Sequence, residues 1–257
     1  MRLELLNWPE LESAAGKVFV LPLGSIEQHG HHLPLVTDTA IVSEIAARVE
    51  RSAPDEVVLL PTVWMGHSPH HEHFGSISLD VRPYMDLLGS VCRSMVRIGA
   101  RKIFLLNGHG GNDVPSRAAM REIKSEFRDV TGLYVVYATY WALAAAEFGQ
   151  IRKSPRGGMG HACEMETSVM LSIRPETVDL ERAVEGGPRD EGEFRTLDML
   201  RGQPYYIVNE FHELSDSGTI GQPQFSSAEQ GQAFVDAAVQ SVLRFIREIA
   251  TWDYQEK

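Results

Sequence analysis

Ten histidines stand in this chain of 257 residues, and nine of them lie between His29 and His161 in tight groups beside carboxylates. Imidazole and carboxylate are the side chains that hold divalent ions and move protons, so the clustering asks for a chemical cause. The first group is Glu27-Gln28-His29-Gly30-His31-His32, followed by Asp38. Residues two apart in an extended segment point the same way and lie about 6 to 7 Å apart, so Glu27 and His29 can each reach one of two adjacent ions. Asp38 can then bridge both. A plainer reading makes the stretch a solvated polar loop in which Asp38 caps the next helix.

The second group, Asn107-Gly108-His109-Gly110-Gly111-Asn112, sets three glycines round one histidine. Glycine permits positive φ and close backbone approach, so the loop is expected to turn sharply and hold His109 over the edge of a sheet. The spacing matches neither the dinucleotide fingerprint nor the P-loop, and no lysine follows, which sets phosphate binding aside. The third group is His161-Ala162-Cys163-Glu164-Met165-Glu166. Glu166, Met170 and Ile173 follow i, i+4, i+7 spacing, which puts Glu166 on a buried helix face, where a carboxylate needs a partner. Glu164 sits about 200° away on that helix, so one ion is not expected to take both acids. An acidic first turn complementing the helix dipole is the alternative. The fourth group, His67-Ser68-Pro69-His70-His71-Glu72-His73, reads as a pocket-lining loop with one or two histidines turned inward, a third metal site being the competing reading. His212 stands apart and is expected at the surface.

These groups fall where strands end and helices begin. Apolar runs at 17–23, 57–63, 101–106 and 133–137 read as buried strands. Helices are expected from Thr37 or Asp38 as cap, with Ile41, Ile45 and Val49 as one apolar stripe, and over about 83–98, 115–127, 141–148, 163–173 and 226–249. A further helical segment is expected at 189–201. The fold class is α/β, a mostly parallel sheet flanked by helices on both faces, forming a single domain over residues 1–257. At the carboxyl edge of such a sheet, loops distant in sequence converge on one site.

The formal charge of -11, with no clustered basic surface, argues against nucleic acid as a partner and for a small neutral or cationic molecule. No apolar run approaches the roughly 20 residues of a membrane span, and Met1-Arg2-Leu3-Glu4 lacks a signal-peptide core, so a cytoplasmic protein is expected. Its two cysteines, Cys92 and Cys163, would then be free thiols.

Taken together and in order, the segments resemble the creatininase, or creatinine amidohydrolase, family. The resemblance runs from Leu21-Pro22-Leu23-Gly24-Ser25-Ile26-Glu27-Gln28-His29-Gly30 to Gly218-Thr219-Ile220-Gly221-Gln222-Pro223 and the C-terminal helix. It implies a creatininase-like α/β fold, two divalent ions and assembly into homo-oligomers, often hexamers. Position by position it implies that Glu27 and His109 hold one ion, His29 the other, and Asp38 both. Zn²⁺ is expected, with Zn²⁺, Mn²⁺ or Fe²⁺ at the second site. His161 matches a catalytic-site histidine.

The chain departs from true creatininases at Gly111, where those enzymes carry a metal-binding glutamate, so it resembles another member of the family. Many members share a His-Ala-Gly-Glu-x-Glu-Thr-Ser segment. That likeness makes Glu164 the first choice for the missing ligand and Glu166 the second, with Cys163 standing where glycine is usual. Phe74-Gly75-Ser76 lacks the family's Phe-Pro-Gly-Thr proline, which points to an altered pocket wall and away from creatinine. The expected activity is hydrolysis of a C–N bond in a small cyclic amide or formamide by a water bridging two ions. His161 would move the proton, and Glu166 would orient it or a ligand. Opening of an oxidised inositol ring at a C–C bond is the alternative, and non-catalytic binding of metal or a small molecule a second.

Overall fold

The computed structural model describes residues 1–188 and 192–253. Four parallel strands form its central sheet in the order β3-β1-β5-β6: β1 (Val18–Leu23), β3 (Val57–Leu59), β5 (Lys102–Asn107) and β6 (Tyr134–Thr139). β1 is buried at every position because both faces of the sheet are covered. Val18 and Val20 face a core shared with helices α1 (Thr37–Ser52), α6 (Glu164–Ile173) and α8 (Ala228–Thr251). Phe19, Leu21 and Leu23 face the opposite core, under α2 (Val81–Arg97) and α3 (Asp113–Glu126). Neighbouring residues of one strand thus fill two cores, as the period of two requires.

Short elements complete the carboxyl edge. β2 (Ile26–Glu27) pairs antiparallel with β4 (Ser76–Ile77), tying the first acidic group to the histidine-rich loop. The helical turns α4 (Tyr140–Leu143) and α5 (Ala145–Ile151) follow β6. β7 (Met159–His161) pairs with β8 (Ile220–Gly221) and delivers the chain into α6, while α7 (Phe211–Leu214) lies over the histidine-rich loop.

Three expectations need correction. The strand expected over 57–63 ends at Leu59, and only a bridge from Leu23 to Val63 continues the pairing. The helix expected over 189–201 begins outside the described residues, and 192–201 are bends and turns. That stretch is instead pinned by Asp198, which accepts hydrogen bonds from Arg152 and the Gly157 amide, each at 2.8 Å. Nor do Thr37 and Asp38 cap α1. Both lie inside it, the Thr37 hydroxyl donates to the Pro34 carbonyl, and the Asp38 carboxylate is engaged by histidines.

The helix that carries Glu166 is set by a close crossing. A methyl group on Gly231 of α8 would overlap the Ser168 carbonyl of α6, so only glycine lets the two backbones meet at this distance. Gly231→Ala is expected to lower stability by about 1–3 kcal/mol through overpacking. Urea unfolding measures it, and an unchanged midpoint would show that the crossing has slack.

Candidate metal centre

Six side chains singled out in the sequence meet at the carboxyl edge. Glu27 leaves β2, Asp38 the first turn of α1, and His109 the loop after β5. His161 ends β7, and Glu166 lies five residues further on, in the first turn of α6. With His70, His71, Trp141, Met199 and Phe211 they line a cavity of about 320 Å³. His29 lies just behind, its Nε2 donating to Asp38 Oδ1 at 3.0 Å and standing 4.0 Å from Glu166 Oε1. His109 Nδ1 stands 3.0 Å from Asp38 Oδ2 and 3.2 Å from Glu27 Oε1.

Local backbone aims these groups. The glycine loop turns without positive φ at Gly108, Gly110 or Gly111, contrary to that part of the expectation. What it needs glycine for is proximity: a Cβ on Gly108 would stand 2.7 Å from Val42 Cβ, and one on Gly111 2.6 Å from His70 Cε1. Between His161 and Cys163, Ala162 adopts φ 49°, a left-handed conformation that costs a non-glycine residue of the order of 1 kcal/mol. That turn brings His161 and Glu166 to the same cavity.

His29 and His109 each have one nitrogen tied to the main chain and the other turned to the carboxylates. His29 Nδ1–H donates to the Glu27 carbonyl at 3.1 Å, and His109 Nε2–H to the His67 carbonyl at 3.1 Å. Their other nitrogens therefore face the carboxylates. Such a carbonyl partner is the support that orients a metal-binding histidine. His71 is arranged the other way. The Gln28 amide, fixed by its bonds to Gly218 O and Gly30 N, donates to His71 Nδ1 at 2.9 Å. The His71 proton is then on Nε2, 3.2 Å from Glu27 Oε1, where no lone pair is left for a metal.

Three buried carboxylate oxygens have no hydrogen-bond partner: Glu27 Oε1, Asp38 Oδ2 and Glu166 Oε2. Donor atoms of Glu27, His29 and Asp38 lie within 4.8 Å of one another, as do those of His29, His161 and Glu166. Buried carboxylate oxygens that accept no well-aligned hydrogen bond, beside imidazole nitrogens turned toward them, fit divalent cations, whose binding would satisfy both. Without metal, protons take that role. Burial opposes charge on His29, but Asp38, Glu166 and Glu27 together outweigh it and lift the imidazole to about 9. His109 is also held well above its ordinary value, burial being outweighed by Glu27 and Asp38. Burial raises Glu166 to about 7, whereas on Glu27 it is overcome by His109 and His71, which hold that acid well below the usual range.

Glu164 is not at this site. Its carboxylate accepts the Lys153 and Ser154 amides, at 2.6 and 2.8 Å, and the Gln230 side-chain amide. With its oxygens occupied, the first choice for the missing ligand gives way to Glu166. Cys163 is buried in the apolar core, which pushes its thiol far above the usual range. The histidine-rich loop turns two of its members inward, His70 and His71, while exposed His212 stacks on His73 at 4.7 Å. The Gln28 contacts leave no mark in the sequence beyond the residue's place between Glu27 and His29.

A family model described as creatininase, creatinine amidohydrolase, matches residues 4–246. The chain is 28% identical over 260 residues to creatinine amidohydrolase of Pseudomonas putida, covering 95% of each. It is 31% identical over 242 residues to the mycofactocin precursor peptide peptidase of Mycobacterium tuberculosis, covering 91% of this chain and 84% of the other. The 3-dehydro-scyllo-inosose hydrolase of Thermotoga maritima is 27% identical over 254 residues, at 90% and 77% coverage. Among solved structures, a tryptophan-to-alanine mutant creatininase matches with a TM-score of 0.82 at 25% identity, covering 98% and 99% of the two chains. A manganese form of creatininase matches with a TM-score of 0.78 and a Zn–Zn mutant form with 0.77, each at 26% identity and 96% and 97% coverage.

Because His29 and His109 are protonated in the metal-free protein at neutral pH, divalent ions must displace their protons. Zinc added at pH 7 is expected to release about two to three protons per chain, from His29, His109 and the part of Glu166 still protonated, and affinity to rise with pH up to about 9. Calorimetry in buffers of different ionisation enthalpy measures the release. Zinc binding without proton release would contradict these charge states.

Proposed function

The chain belongs to the creatininase family of hydrolases, and on that premise we propose that it is a dinuclear metal-dependent enzyme cleaving a C–N bond of a small amide. The observation that carries the reading is the trio of unpartnered buried oxygens on Glu27, Asp38 and Glu166 beside the offered nitrogens of His29 and His109. Glu27 and His109 are assigned to one ion, His29 and Glu166 to the other, and Asp38 to both. Bound there, two divalent ions would polarise a carbonyl and lower the pKa of water from about 15.7 to about 7. This donor set suits Zn²⁺, with Zn²⁺, Mn²⁺ or Fe²⁺ as the second ion.

His161 is assigned the proton transfer. Its Nε2–H donates to the Gln28 carbonyl at 2.8 Å, which leaves the Nδ1 lone pair 3.9 Å from Glu27 Oε1. Burial and the charge of His29 hold this imidazole down to about 3, so it is neutral and free to accept a proton at Nδ1. Glu27 then steadies the cation until the proton passes to the leaving nitrogen. Phe211, its ring 4.7 Å from His161, gives the cavity an apolar side together with Trp141 and Met199.

A cavity of about 320 Å³ suits a small molecule or the reacting end of a larger one. C–N cleavage covers cyclic amides, formamides and peptide bonds alike. The Thermotoga relative supports a second reading, C–C hydrolysis of an oxidised inositol. Incubation of the zinc- and manganese-loaded protein with creatinine, formylated aminopyrimidines, short peptides and oxidised inositols, followed by mass spectrometry, separates them. Ring opening of creatinine, formate release from the formylated aminopyrimidines or scission of a peptide supports the first reading, and ring opening of the oxidised inositol, which contains no nitrogen, supports the second. His161→Ala is expected to cut turnover about 10²–10⁴-fold with metal content unchanged. Parallel loss of metal would instead make His161 a ligand.

A further inference from the structure

The histidine-rich loop holds one imidazole whose role is still unassigned. His67 Nδ1–H donates to the Leu79 carbonyl at 2.9 Å, His71 Nδ1 accepts from Gln28, and His73 stacks on His212 at the surface. His70 differs from all three. It lines the metal cavity, half-buried, and among the described residues neither of its ring nitrogens has a hydrogen-bond partner. A donor atom of His70 lies within 4.8 Å of donor atoms of both Glu27 and His109. Its ring is parallel to that of His109, 7° apart in plane with centroids at 5.7 Å.

The space His70 occupies is the space a side chain at position 111 would need. A Cβ there would stand 2.6 Å from His70 Cε1 and 2.5 Å from His109 Nε2, and would overlap the His67 carbonyl. Gly111 and the inward His70 are therefore one arrangement: an acid cannot enter from the glycine loop, and an imidazole enters from the opposite wall.

We propose that His70 is a further ligand of the ion assigned to Glu27 and His109. The Gln28–His71 hydrogen bond supports the choice of His70 over its neighbour, since it places a proton on the His71 nitrogen that faces the cavity. A second imidazole makes this position richer in nitrogen, which favours Zn²⁺, Co²⁺ or Fe²⁺ over Mn²⁺ or Mg²⁺. His70 thus sets the metal preference of one half of the pair. Because it also lines the adjoining groove with Tyr206, Ile207 and Val208, it stands where that groove meets the metal cavity.

The inference rests on the dinuclear reading, and titration of the metal-free protein with Zn²⁺ and Co²⁺ keeps the two apart. The parent is expected to take two ions. His70→Ala should take both at saturation, one of them at least about tenfold more weakly, with an altered Co²⁺ absorption spectrum. His70→Glu, which returns a donor, should recover most of the affinity. In the zinc-loaded parent, the ¹⁵N spectrum should show a His70 ring nitrogen shifted from its metal-free position. Unchanged affinities in His70→Ala, or an unshifted His70 in the zinc-loaded parent, would overturn the proposal. A parent that takes no ion would overturn the dinuclear reading itself.

Discussion

Three carboxylates buried in one cavity constrain everything around them. Glu27, Asp38 and Glu166 each keep an oxygen without a hydrogen-bond partner, and leaving a buried carboxylate uncompensated costs several kcal/mol. Protonated His29 and His109 meet part of that demand in the metal-free protein, and the rise of Glu166 to about 7 meets some of the rest. Divalent cations meet it more fully, because each brings two charges to donors already turned inward. On this reading the site is a place of stored electrostatic demand, and metal affinity is its measure.

The fold supplies that geometry by ordinary means. A parallel sheet buried on both faces sends the chain from the ends of β1, β3, β5 and β6 to one edge, so residues as far apart in sequence as Glu27 and Glu166 become neighbours. Backbone carbonyls then fix which nitrogen each histidine offers. The Glu27 carbonyl holds His29, the His67 carbonyl holds His109 and the Gln28 carbonyl holds His161. Main-chain acceptors cannot rotate away as side chains can, so the offered nitrogens are set before any ion arrives.

Much of this is legible in the sequence, for identifiable reasons. Buried strands such as β1 betray themselves as unbroken apolar runs, and α1 shows its stripe of Ile41, Ile45 and Val49. Spacing alone pairs Glu27 with His29. What cannot be read depends on contacts distant in sequence. Glu164 and Glu166 are both acidic, both buried and on the same helical turn. Only the fold reveals that the Lys153 and Ser154 amides claim the first. Asp38 looks like a helix cap because its neighbours in sequence suit one, whereas its partners, His29 and His109, arrive from elsewhere. The glycines of 108–111 announce a special backbone, but close approach to Val42 and His70, not positive φ, is the reason.

Diffraction at the zinc absorption edge from crystals of the zinc-loaded protein reads out whether this cavity takes two ions. Two anomalous peaks are expected, one between Glu27, Asp38 and His109 and the other between His29, Asp38 and Glu166. A cavity without an anomalous peak, or a single ion bound away from Asp38, would contradict the two-ion site.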